Sequence, residues 1–219
     1  MPEKDTLKYL LKTPSKDKWK RIGLERRAGV VVPLFSVYSK NSVGIADLED
    51  LKLVIDFAIK SANSMVQLLP MNEMGALFCP YDSLSSFALE PVYLCLDKLP
   101  ISNKSDIKTK IGDIKKRFPT DKAFVNYSIK KEKIKILWDI FCEEDFLDSS
   151  EFRQFKADNQ YWINDFTLYK VIKDKQGGKP WYEWEDKYKN RDKEQLRIFG
   201  NENEREIIFE MWLQWQLYR

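Results

Sequence analysis

The sequence predicts an α/β fold, and two observations carry that expectation. Near the N-terminus two continuous apolar runs of strand length flank one amphipathic segment, giving strand, helix and strand in succession. A sheet strand buried on both faces reads as a near-continuous β-branched run, and Gly29-Val30-Val31-Val32-Pro33-Leu34-Phe35 has that pattern. The second run, Met65-Val66-Gln67-Leu68-Leu69-Pro70, is stopped by its proline. Between them Leu48, Leu51, Val54, Ile55, Ala58 and Ala62 recur at helical spacing, so 47–62 is expected to be a core-facing helix. Asp47 stands where a side chain can accept from the first free amides. Two strands joined through a helix should be parallel with a right-handed crossover.

The remaining elements follow a different rhythm. Residues 1–28 are polar and rich in Lys and Arg, with a short helix expected around Leu7–Leu11 and ended by Pro14; they read as an N-terminal extension. Met71 to Leu89 reads as a loop, and Val92-Tyr93-Leu94-Cys95-Leu96 as a short strand. Three amphipathic helices are then expected. Ile129–Phe146 carries Ile136, Leu137, Ile140 and Phe141 on one face, Trp162–Ile172 gathers Trp162, Phe166 and Tyr169, and Glu204–Tyr218 gathers Ile208, Met211, Trp212 and Trp215. Between the last two, Gly177-Gly178 stops a helix and Pro180 opens an aromatic loop. The expected division is an extension at 1–28, an α/β part at 29–99 and a helical subdomain at 100–219. Two parallel strands alone make no stable sheet, and the chain ends at Arg219 directly after an apolar helix, so it reads as truncated.

Composition narrows the chemistry. In 219 residues, 43% are hydrophobic and 14% aromatic, enough apolar surface to fold rather than stay disordered. There is no histidine, which removes histidine triads, histidine bases and the usual zinc and iron ligand sets. Cys79, Cys95 and Cys142 are odd in number and lack CxxC spacing, so buried thiols in a reducing compartment are expected rather than a disulfide framework or a metal site. The net charge of +3 is spread along the chain except in Lys104–Lys135, which reads as a solvated helical face rather than a nucleic-acid groove. No apolar run approaches the roughly 20 residues that span a bilayer, and no signal core follows the start. A cytoplasmic protein without membrane contact is therefore expected.

Three segments resemble one family: Ala28-Gly29-Val30-Val31-Val32-Pro33-Leu34-Phe35-Ser36, Val43-Gly44-Ile45-Ala46-Asp47-Leu48 and Gln67-Leu68-Leu69-Pro70-Met71-Asn72. The strongest match is Cys79-Pro80-Tyr81-Asp82-Ser83-Leu84-Ser85-Ser86-Phe87-Ala88-Leu89-Glu90-Pro91, which is similar to a Ser-Pro-Tyr segment closed by Phe-Ala-x-Asn-Pro. With Trp162–Tyr169, Gly177–Trp184 and Phe209–Arg219, the order and spacing of these segments over residues 26–219 resemble the 4-α-glucanotransferases, or amylomaltases, of glycoside hydrolase family 77. The resemblance implies the first two strands of a (β/α)8 TIM barrel with an inserted helical subdomain. It implies retaining transfer of α-1,4-glucan segments between maltodextrins, without metal or organic cofactor. The nucleophilic Asp, the acid/base Glu and a sugar-holding Asp are expected beyond Arg219, so the chain alone should be inactive. A non-catalytic glucan-binding module, or half of a split enzyme needing a C-terminal partner, is the alternative.

Within that resemblance Tyr81 matches the tyrosine that packs against the sugar near the scissile bond. A flat aromatic face suits the apolar C–H face of a glucose ring, and the loop after a barrel strand is where such active sites assemble. The bland alternative is a tyrosine resting on Pro80. Asn72, Glu73 and Asp82 share that loop, and Asn72 and Asp82 are taken with Tyr81 as substrate-binding candidates, although loop polar residues are often only solvated. Asp47 is read as a helix cap. Trp181, Tyr182 and Trp184 are read as a packing plug in preference to a glucan platform. Three residues depart from the family pattern: Ala46 for glycine, Cys79 for serine and Glu90 for asparagine. An ionised Glu only accepts hydrogen bonds where Asn also donates, so the partner groups of Glu90 would have to differ.

Overall fold

In the computed structural model, which describes residues 8–99, 104–120, 122–143 and 148–219, the two expected strands pair. β1 (Gly29–Val32) and β2 (Met65–Leu68) are parallel, with Gly29 opposite Met65 and Val32 opposite Leu68. Gly29 permits the approach, since a Cβ there would lie 2.5 Å from the Met65 carbonyl oxygen. Ahead of them α1 (Lys16–Ile22) occupies part of the extension, where only a short helix was expected. That earlier helix is a 3-10 segment, Lys8–Lys12; Leu7 lies outside the described residues.

α2 (Leu48–Lys60) connects the strands and starts as its sequence requires. Asp47 Oδ1 accepts from the N–H groups of Glu49 at 2.9 Å and Asp50 at 3.4 Å, and Asp50 Oδ2 accepts from the Asp47 N–H at 3.0 Å. Ser42 Oγ adds a 2.7 Å bond to the same Asp50 oxygen, so four donors are satisfied at one helix end. Just before this cap, Gly44 adopts φ 72°, and a Cβ would come within 2.9 Å of both Phe118 and Ile129.

Three expectations about this region are corrected. The strands are not buried on both faces: Val30, Val32, Val66 and Leu68 are half-buried, while Gly29, Val31, Met65 and Gln67 face outward, with Val31 62% exposed. Nor is α2 buried along its whole apolar stripe. Leu48 and Leu51 pack on the core and Ala58 is buried, but Ile55 is exposed, as are Leu53, Phe57 and Ile59. A trough of about 290 Å³, lined by Val30, Val32, Leu53, Val54 and Phe57, separates sheet and helix. The physical reason is that a two-stranded sheet lacks neighbours to close over either surface.

The third correction concerns 92–96, which forms two 3-10 turns, Pro91–Tyr93 and Leu96–Lys98, instead of a strand. Its carbonyls are taken by a lysine: the buried Lys133 Nζ donates to Val92 O at 2.5 Å and Leu94 O at 2.8 Å. A carbonyl satisfied by an ammonium group has no need of a neighbouring strand.

The helical part consists of α3 (Lys104–Arg117), α4 (Ile129–Glu143), α5 (Ser150–Asp158), α6 (Gln160–Lys175), α7 (Asp186–Lys189), α8 (Lys193–Glu202) and α9 (Glu204–Tyr218). The expected end of the Ile129 helix at Phe146 falls outside the described residues. α6 packs along α9, and α4 crosses both α9 and the Pro91–Tyr93 turn. One continuous core joins Leu34, Val43 and Ile45 to Val92 and Leu96, to Leu137 and Ile140 of α4, and to Trp212 and Leu213 of α9. The Lys104–Lys135 stretch is not wholly solvated, because Lys133 is fully buried and Lys110 bonds Asp139 across from α3 to α4 at 2.9 Å. The thiols are also less buried than expected: Cys79 and Cys95 are half-buried and Cys142 is exposed.

Candidate functional site

The loop after β2 doubles back on itself. Backbone bonds from Glu73 N to Ala88 O (2.8 Å), Leu84 N to Glu73 O (2.8 Å) and Glu90 N to Met71 O (2.9 Å) bring its two limbs together. Isolated antiparallel bridges set Asn72 opposite Leu89 and Met74 opposite Ser83. At the tip Phe78 takes φ 52°, a conformation unusual for a bulky residue and a local cost that tertiary contacts must offset. Its buried ring stacks on Tyr127, centroids 4.2 Å apart, with the Lys130 ammonium 5.8 Å from the ring. Pro80 is buried beneath the turn, and Tyr81 beside it is 74% exposed.

The closing limb is fastened from several sides. Glu90 Oε2 accepts from the Met74 N–H at 2.9 Å and from Lys130 Nζ at 2.8 Å, while Oε1 accepts from the Val92 N–H at 3.3 Å. All three partners are donors, which is the condition an ionised carboxylate in place of Asn requires. Gln214 of α9 grips Leu89 at both backbone groups: Oε1 accepts from its N–H at 2.8 Å and Nε2 donates to its carbonyl at 3.0 Å. Tyr218 donates to Phe87 O at 2.8 Å, and the Phe87 ring stacks on Trp162 of α6. A loop pinned by α4, α6 and α9 presents its tip in one place, and such preorganisation spares the entropy of ordering it on binding.

Under the loop lies a cluster of buried charges. Glu73 and Glu210 are buried, with Lys170 Nζ 4.0 Å from Glu73 Oε1 and 3.9 Å from Glu210 Oε1. Lys130 Nζ stands 3.8 Å from Glu73 Oε1. Burial pushes the Glu73 carboxyl up to about 8 against the pull of Lys130, with Glu210 adding to the rise. Glu210 is raised too, chiefly by burial. Burial alone would lower Lys170, but Glu210, Glu73 and Asp174, the last at 2.5 Å, drive it above the usual lysine range. Farther in, burial brings Lys133 down to about 8 despite Asp47, and pushes the Cys95 thiol up to about 12.

Tyr81 and Asp82 therefore sit together near the loop tip, and Asn72 is half-buried nearer its root. Glu73 is buried and does not face solvent with them. Cys79 stands half-buried at the tip, and its carbonyl accepts from the Asp82 N–H at 3.0 Å. Asp47 is a cap, as expected. The aromatic plug is corrected: Trp184 is buried, but Trp181 and Tyr182 are exposed. Among residues that spacing did not single out, Phe78, Tyr127, Lys130, Lys170, Glu210 and Gln214 all build or brace this loop. The sequence signals near them were Glu90, whose departure from Asn called for different partners, and Gln214, which lies in the family-like segment Phe209–Arg219. Among the described residues no group of His, Cys, Asp or Glu is arranged to hold a metal, and no helix is long and apolar enough to cross a membrane.

A pinned loop following a parallel strand, with an exposed aromatic at its tip, belongs here to an α/β chain whose two-stranded parallel sheet is joined to a set of helices. The family model described as 4-alpha-glucanotransferase, glycoside hydrolase family 77, matches residues 32–219, and the chain belongs to that family. A 4-alpha-glucanotransferase of Chlamydia pneumoniae is 31% identical over 98% of this chain and 41% of its own length. The 4-alpha-glucanotransferase DPE2 of Oryza sativa subsp. japonica is 38% identical over 68% of this chain and 16% of its own length. The crystal structure of amylomaltase from Corynebacterium glutamicum shares the fold, with a TM-score of 0.67, 20% identity, and coverage of 93% of this chain and 28% of that one. The chain thus spans well under half the length of these relatives.

Proposed function

We propose that this chain is part of a 4-α-glucanotransferase that moves α-1,4-glucan segments between maltodextrins in the cytoplasm, with the 71–91 loop lining the sugar cleft. The observation that carries the reading is Tyr81, 74% exposed at the tip of a braced loop in a chain of this family. Its ring offers a flat apolar face to a glucose unit, and Asn72 and Asp82 offer polar groups to the hydroxyls. In the reaction a carboxylate attacks the anomeric carbon and displaces the aglycone, whose oxygen takes a proton from a second carboxyl group about 5–5.5 Å away. A sugar hydroxyl of the acceptor then replaces the enzyme, giving its proton back to the second group, and configuration is retained. Those two carboxylates lie outside these 219 residues in this proposal. What this chain supplies is the loop, the first two strands of the barrel and an inserted helical subdomain.

The exposed sheet favours a second reading for the chain in isolation, as a partner-dependent half. Val31, Leu53, Phe57 and Met65 leave apolar surface uncovered beside the trough, and both strands have an unpaired edge among the described residues. The test is disproportionation of maltotriose into glucose and longer glucans. Residues 1–219 alone should be inactive, and a polypeptide carrying the remaining barrel strands should restore transfer when mixed with them. Transfer by residues 1–219 alone would overturn the assignment of the carboxylates.

A further inference from the structure

On the helical side of the molecule, away from the 71–91 loop, α6, the Trp181–Glu183 turn and α8 enclose a hollow of about 330 Å³. None of its lining residues belongs to that loop. We propose that it is a second glucan-binding site, one that holds a maltooligosaccharide or the end of a longer chain; the choice of an α-glucan as ligand rests on the transferase reading.

The walls are aromatic. Tyr169 and Trp184 lie with ring centroids 5.3 Å apart, Tyr188 stands opposite, and Trp181 forms the lip, 55% exposed. The support beneath Trp181 is built rather than loose. Gly177 and Gly178 take φ 70° and 78°, Lys173 Nζ donates to the carbonyls of Gly178 at 3.0 Å and Lys179 at 3.2 Å, and Trp184 Nε1 donates to Lys179 O at 2.9 Å. Trp184 is therefore the packing residue of the pair, and Trp181 is left presenting its ring to solvent. An exposed indole beside a concave aromatic wall is apolar surface that the fold itself does not use.

The rim is polar. Arg191 Nη2 donates to Asp165 Oδ1 at 2.9 Å, and Lys189 stands on the same rim. Arg191 sits in the turn that closes α7, with its backbone in the left-handed region at φ 54°. Aromatic faces below and planar donors and acceptors at the edge match a pyranose ring, which is apolar on its C–H faces and ringed by hydroxyls that donate and accept. A purely apolar ligand would gain nothing from the Arg191–Asp165 rim. The volume is at the small end of the roughly 300–1,000 Å³ of ligand pockets, which suits one or two sugar rings. Such a site would keep a long glucan on the protein while the loop site engages another part of it.

Isothermal titration with maltoheptaose, paired with the Trp181 indole N–H resonance, tests the site. The protein should show two binding steps and a shift of that resonance. Trp181→Ala should weaken one step at least roughly tenfold with no loss of melting temperature, because the ring is exposed. Tyr81→Ala should weaken the other step roughly tenfold and leave the Trp181 shift intact. An indole resonance unmoved at saturating maltoheptaose, or a Trp181→Ala isotherm identical to the parent, overturns the second site. Failure of Tyr81→Ala to affect binding counts against the transferase reading alone.

Discussion

Lys130, in the first turn of α4, places its Nζ 2.8 Å from Glu90 Oε2, the oxygen that also accepts the Met74 N–H. The contact joins a helix to the loop beyond β2 across 40 positions of sequence. Glu90 is fully buried, so removing its cation strands a charge in a poorly polarisable surrounding.

Lys130→Met should accordingly destabilise the protein by about 3 kcal/mol, roughly 6–12 °C in Tm for a chain of this size. The double variant Lys130→Met with Glu90→Gln should recover part of that loss, because the second change removes the stranded charge. Thermal melts of the three variants against the parent form the cycle. Strictly additive losses would mean that the pair does not act together.

Glu73 makes stability depend on pH in a defined direction. Its folded value of about 8 stands above the 4.5 of an unperturbed Glu, so between those values the folded state holds more protons than the unfolded one. Stability from this group is present in full below about 4.5 and is lost as pH rises through 8. Glu73→Gln removes the titration while keeping the shape. The Tm of the variant minus that of the parent should grow between pH 5 and pH 8.5 by at least about 3 °C. Parallel melting curves across that range would refute the buried protonated carboxyl.

Gly44 combines a left-handed backbone with neighbours that leave no room. At φ 72° an alanine is strained, and its methyl would press on Phe118 and Ile129 at 2.9 Å. Gly44→Ala should lower Tm by about 5 °C or more, measured by circular dichroism. A neutral result would show that the turn before α2 relaxes freely.

Tyr81 should matter to binding and not to folding. Tyr81→Ala is expected to leave Tm unchanged and to weaken maltooligosaccharide binding by roughly tenfold, whereas Tyr81→Phe keeps the ring and most of the affinity. Equal loss in both variants would place the contribution in the hydroxyl instead of the ring face.

Much of this could be read from local pattern. The Asp47 cap, the helical stripes of α4, α6 and α9 and the irregular span after Pro70 follow from propensity and spacing, which act over a few residues, and the motif around Tyr81 pointed to the family. Other features depend on groups that only folding brings together. Residues 92–96 have the composition of a strand, yet they turn because Lys133, 41 and 39 positions away, satisfies the carbonyls of Val92 and Leu94. Glu73, Lys130, Lys170 and Glu210 come from a loop and three helices, and no periodicity links them. The outward face of β1 is likewise set by what lies beside the strand, since the run Val30-Val31-Val32 reads the same whether one face is covered or two. The sequence determined that the long amphipathic segments of α2, α4, α6 and α9 are helical, where the loop lies and which family they compose, whereas α1, α5, α7 and α8 were not legible in it. Tertiary structure decided which polar groups are buried together and which apolar faces stay open, because burial and hydrogen-bond partnership belong to the assembled surroundings of a residue and not to its neighbours in the chain.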